Sequence, residues 1–100
     1  MVFESGSLNA TLVLAADGDS TLFAELRRSF IGSARQQLNL MQRARCDANW
    51  NIAALRLQGI AASFHARSLL ELANVALSGA PGDPVIVRRI ATFLDQLTQR

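Results

Sequence analysis

The chain has no lysine and no tyrosine, and in 100 residues it carries one cysteine, one histidine, one tryptophan and two prolines. A single thiol, Cys46, excludes an internal disulfide and agrees with a reducing compartment, so a cytoplasmic location is the expectation. One Cys and one His, 19 residues apart, make no zinc site without help from carboxylates, and no paired spacing suggests one; neither metal nor cofactor is expected. Gly-rich phosphate loops, His-Glu-x-x-His and Gly-x-Ser-x-Gly are all missing, and with them the usual grounds for expecting an enzyme. Long apolar runs are missing too. The longest stretches without a charge, Ser5 to Ala16 and Leu72 to Gly82, fall short of the roughly 20 apolar residues that span a bilayer, so no membrane segment is expected. The opening Met-Val-Phe-Glu-Ser-Gly lacks the basic and long apolar regions of a secretory signal.

Charge of one sign is weak as well. Ten arginines face eight acidic residues, and a net charge of +2 does not argue for nucleic acid, whose phosphates need several clustered cations. Arg27, Arg28, Arg35, Arg43 and Arg45 lie along one segment. They read either as an ordinary solvated helix face with snorkelling stems or as a docking edge for an acidic partner.

What the sequence does contain is helical periodicity. Half the residues are apolar, enough for one core and one domain over residues 1–100, and 3.6-type spacing recurs in four long segments. A short first helix is expected from about Leu8 to Ala15, stopping in Asp17-Gly18-Asp19. A second starts with Asp19 or Ser20 as N-cap and runs to about Arg45, with Phe23, Leu26, Phe30, Ala34, Leu38 and Met41 buried. The third starts at Asp47 to Asn49, whose short polar side chains can cap it, and presents Trp50, Ala53, Leu57, Ile60 or Ala61, and Phe64 to the core. The fourth follows with Ala66, Leu69, Leu70, Ala73 and Leu77 inward and ends at Gly79 as a C′ residue. Asp83 then caps a last helix with Pro84 at its first position and Ile86, Ile90, Phe93, Leu94 and Leu97 inward. The expected fold is all-α, an antiparallel up-and-down four-helix bundle with the short first helix as a lid.

The third helix carries two faces. Residues turn by about 100° each, so Leu55 points away from Leu57 and outward. Ile52, Leu55, Gln58, Gly59 and Ala62 form a stripe without charge on the side where a surface helix usually carries charge. Single exposed apolar residues are common, and that is one reading. The other is a docking face, because Gly59 costs about 1 kcal/mol in a helix interior and lets another helix approach closely.

Ala54-Leu55-Arg56-Leu57-Gln58-Gly59-Ile60-Ala61, with Asp47 to Trp50 before it and Phe64-His65-Ala66-Arg67-Ser68-Leu69 after it, resembles histidine-containing phosphotransfer (HPt) domains. Their motif reads His-x-Leu-Lys-Gly, a run of small residues, then Gly-Ala-x-x-Leu. Leu57, Gly59, Ala61, Ala66 and Leu69 fit it. Gly18-Asp19 followed by Leu22, Phe23, Leu26 and Phe30, the pair Asn49-Trp50, and the run Leu69 to Ala76 are similar to the family's other signals, so the resemblance covers nearly the whole chain. Three positions depart from it: Leu55 stands in place of the nucleophilic His, Gln58 in place of the Lys, and His65 in place of the Gly of Gly-Ala. Leucine has no nucleophilic atom, and Gln58 offers a hydrogen bond but no charge against a phosphate. Arg56, beside Leu55, is the one cation near that spot and is expected on its flank.

The resemblance therefore implies the family's fold without its chemistry. The expected function is a phosphorylation-incompetent module of two-component signalling that docks a response-regulator receiver domain or a histidine kinase through Ile52, Leu55, Arg56, Gln58, Gly59 and Ala62. A structural or self-associating bundle, monomer or weak homodimer, is the first alternative. A phosphocarrier using His65 is the second. His65 occupies the place of the Gly in Gly-Ala and reads as a junction or surface histidine, a partner contact or a displaced phosphoacceptor.

Overall fold

The computed structural model describes residues 2–98, with side chains for 7–98. Five helices account for most of them: α1 (Val2–Ala16), α2 (Ser20–Arg43), α3 (Asp47–Ser63), α4 (Arg67–Ser78) and α5 (Pro84–Thr98). No strand occurs among the described residues. Connections of three to five residues force consecutive helices to lie against one another. α2 packs on α3 and α5, α4 packs on α3 and α5, and α1 lies against α2 and α4.

The helix boundaries follow local chemistry. Asp19 caps α2 with its carboxylate accepting from the N–H groups of Thr21 and Leu22 at 3.0 and 3.1 Å, and Asp83 accepts from Val85 N–H at 2.9 Å with Pro84 beginning α5. Arg43 in the last turn of α2 sits at the negative end of the helix dipole, and Ala44, already extended, ends the helix two residues before the expected Arg45.

Three expectations need correction. α1 is not short. It has 15 residues, as many as α5 and more than α4, and begins at Val2 rather than Leu8. Ser5 and Gly6 weaken a helix by only about 1 kcal/mol or less each, so the helix runs through them ahead of its packed row Leu8, Leu12 and Ala16. Asp47 to Asn49 do not cap α3; the cap position is Cys46, which makes no side-chain hydrogen bond there, and Asp47 is the acid of the first turn. Gly79 is not a left-handed C′ residue, since it caps α4 in an extended conformation (φ −94°, ψ −169°). A Cβ at Gly79 would lie 3.1 Å from the Val75 carbonyl oxygen, a close approach that a side chain there would crowd.

One hydrophobic core runs through the helices, centred on Phe30, Trp50, Leu57, Leu69, Ile90 and Leu94. Phe23, Leu26, Ile60, Phe64, Leu70, Leu77 and Phe93, expected inside, are half-buried at its edge, whereas Ala54, Ala76 and Ser68 are buried instead. Phe64 still packs, with its ring centroid 5.0 Å from that of Phe30. Trp50 places its polar atom as well as its bulk: the indole N–H donates to the Ala76 carbonyl at 3.1 Å, satisfying an acceptor near the C-terminal end of α4 that the helix leaves free. No described helix is long and apolar enough to cross a membrane.

Candidate functional site

α3 divides cleanly into an inner and an outer face. Trp50, Ala53, Ala54, Leu57 and Ala61 are buried, and Ile52, Leu55, Gly59 and Ala62 are exposed on the opposite side. Leu55 is 53% and Ile52 47% exposed. A Cβ added at Gly59 meets no atom within 4 Å, so nothing inside this fold requires a glycine there. The ridge is uncharged and holds no nucleophile. Docking on it removes the exposed halves of two aliphatic side chains from water, about 1 kcal/mol each, so a stable complex draws on a wider area than the ridge.

Gln58 does not belong to the free ridge as the stripe suggested. It is half-buried at the α4 side, and its amide donates to Asn74 Oδ1 at 2.6 Å, joining α3 to α4. Arg56 is exposed on the other flank, where it lines a groove between α2 and α3 with Leu40, Arg43, Ala44, Ile52 and Ala53. Sequence reasoning did not find this groove. Its one signal was Leu40, an apolar residue off the buried stripe of α2, between Leu38 and Met41.

The arginines of α2 do not form one edge. Arg27 donates to the Leu97 carbonyl, and Arg35 donates to Asp95 Oδ1 at 2.8 Å and to Thr98 Oγ1 at 3.0 Å; both tie α2 to α5. With its partners 38% and 60% exposed, the Arg35–Asp95 pair contributes little to stability, less than about 1 kcal/mol. Arg43, at the other end of α2, joins Arg56 beside the α2–α3 groove.

His65 lies beyond the end of α3, because the helix stops at Ser63. Its backbone is left-handed (φ 56°), and two hydrogen bonds close a Schellman turn: His65 N–H to the Ala62 carbonyl at 3.2 Å and Ala66 N–H to the Ala61 carbonyl at 2.8 Å. Ala61 and Ala66, both fully buried, supply the apolar contact of that turn. The His65 carbonyl accepts from Ser7 Oγ at 2.7 Å, fastening α1 to the α3–α4 junction, while the residue itself is exposed. Cys46 is an exposed free thiol. Among the described residues no three His, Cys, Asp or Glu side chains come together as a metal-binding group.

No protein-family model, no curated protein and no solved structure matches the chain.

Proposed function

We propose that the chain is a phosphorylation-incompetent HPt-like docking module of two-component signalling, acting in the cytoplasm by occupying a response-regulator receiver domain or a histidine kinase rather than by passing it a phosphoryl group. The observation that carries this reading is the outer ridge of α3. Leu55, at the position of the resembled family's phosphoaccepting histidine, is exposed as that role demands, and it is flanked by exposed, uncharged Ile52, Gly59 and Ala62, with Arg56 along the α2 side of the stripe. A surface kept free of charge over three turns has little value to a helix facing only water. The pairings of α2 with α3 and α5, and of α4 with the same two, favour an antiparallel four-helix bundle of α2 to α5, to which α1 adds a fifth helix against α2 and α4.

The geometry around His65 favours a structural duty for that residue over a phosphocarrier role, because its backbone forms the turn between α3 and α4 and receives the Ser7 hydroxyl. The module is accordingly not an enzyme in this reading.

The test is binding of unphosphorylated and phosphomimetic receiver domains from the same cell, followed by amide-resolved NMR. Shifts concentrated at Ile52, Leu55, Gly59 and Ala62, lost in Leu55→Glu and Gly59→Arg while the helical circular dichroism is kept, are the expected outcome. Undiminished binding by these variants places the partner elsewhere. A concentration-dependent dimer in sedimentation that Leu55→Glu dissolves replaces the docking reading with self-association through this ridge.

A further inference from the structure

The groove between the C-terminal part of α2 and the N-terminal half of α3 has a cavity volume of about 430 Å³. Two apolar side chains that the core leaves out, Leu40 at 41% exposure and Ile52 at 47%, line it together with buried Ala53. Its polar rim has one sign. Arg43 and Arg56 line it, no lining residue is acidic, and among the described residues neither guanidinium has a carboxylate within salt-bridge distance. Asp47, the acidic residue of α3, lines a separate depression with Arg45 and Cys46. The larger groove between α4 and α5, about 610 Å³, differs in this respect, since Glu71 lines it together with Arg88 and Arg89.

We propose that the α2–α3 groove receives an acidic amphipathic helix of a partner protein, its apolar side chains seated against Leu40 and Ile52 and its carboxylates on Arg43 and Arg56. A trough between two packed helices suits the side-chain ridge of a third. Guanidinium groups match carboxylates with two parallel hydrogen bonds. A basic helix would bring like charges together, and a wholly apolar one would strip water from two arginines without replacing it. The location beside α3 rests on the docking reading, with which the groove shares Ile52 and Arg56; the charge preference is new.

The experiment uses the full chain, isotope-labelled, and two synthetic helical peptides: one with leucines along one face flanked by glutamates, and its twin with lysine for each glutamate. The expected result is shifts at Leu40, Arg43, Ala44, Ile52 and Ala53 with the glutamate peptide, weakened by added salt, and none with the twin. Arg43→Glu combined with Arg56→Glu is expected to weaken the glutamate peptide at least about tenfold and to admit the lysine twin, whereas Arg88→Glu in the α4–α5 groove changes neither. All three positions are exposed, so the changes cost little stability, the most at Arg43, where a charge at the C-terminal end of α2 is reversed, and retained helical circular dichroism checks each variant. Equal binding of the two peptides, or shifts confined to other helices, overturns the proposal. Shifts at Leu40 and Ile52 that grow with protein concentration in the absence of peptide overturn it in favour of a second copy of this chain. Groove binding of the glutamate peptide with silence toward every receiver domain and histidine kinase of the same cell removes the signalling reading and keeps this one; binding of either without peptide discrimination does the reverse.

Discussion

Replacing Gly59 by alanine separates the stability of this protein from its proposed use. Glycine in a helix interior costs about 1 kcal/mol relative to alanine, because its backbone loses more freedom on folding. At Gly59 in α3 and at Gly32 in α2 the added Cβ meets nothing within 4 Å, so neither substitution strains the fold. Each is expected to raise the free energy of unfolding by about 1 kcal/mol and Tm by about 5 °C. The two then diverge. If a partner helix lies close over the ridge, the methyl at position 59 intrudes on it, and overpacking of that kind costs about 1 to 3 kcal/mol, a loss of roughly five- to 150-fold in affinity. Gly32→Ala, outside α3, leaves affinity unchanged. Urea unfolding with an unchanged slope measures the first effect, and calorimetric titration with a receiver domain the second. A Gly59→Ala protein that is stabilised and binds as tightly as the parent refutes the close-approach argument. One that is destabilised refutes the regular, open helix at that position.

Two further outcomes check the assignment of faces and the role of the junction. Leu57→Ala is expected to cost about 2 to 5 kcal/mol, because Leu57 is fully buried, whereas Leu55→Ala stays within about 0.5 kcal/mol; similar losses in urea unfolding would mean that the two faces of α3 are misassigned. His65→Gly is expected to raise stability by about 0.5 to 1 kcal/mol, since the left-handed backbone of residue 65 burdens any side chain and the Ser7 hydrogen bond goes to the carbonyl; a loss of stability would show that the imidazole itself holds the junction. The parent protein is expected to carry no acid-labile phosphate after exposure to a phosphorylated receiver; a label that His65→Gly removes would restore the phosphocarrier reading.

The order of elements was legible along the chain, and so was the outward direction of Leu55, because both depend on interactions that span a few residues. Asp19 and Asp83 announce helix starts through hydrogen bonds to N–H groups two or three positions away, and the positions of Trp50, Ala53 and Leu57 set the inner face of α3 through helical geometry alone. Elsewhere the local signals were weak. α3 begins without a side-chain cap, and Trp50 in its first turn is anchored on the Ala76 carbonyl, while α1 runs through Ser5 and Gly6, which cost a helix only about 1 kcal/mol or less each.

By itself the sequence determined an all-helical chain with five segments and an uncharged outer stripe on the third, since helix periodicity, caps and charge content are written residue by residue. Only the tertiary structure decided which polar groups are free. Gln58 is drawn from the stripe to Asn74, Arg27 and Arg35 are spent on α5, and Arg43 and Arg56 are brought to one groove from different helices. The reason is that such pairings join residues 13 to 70 positions apart in the chain, and their distance in space is set by how the helices pack rather than by any spacing along the sequence.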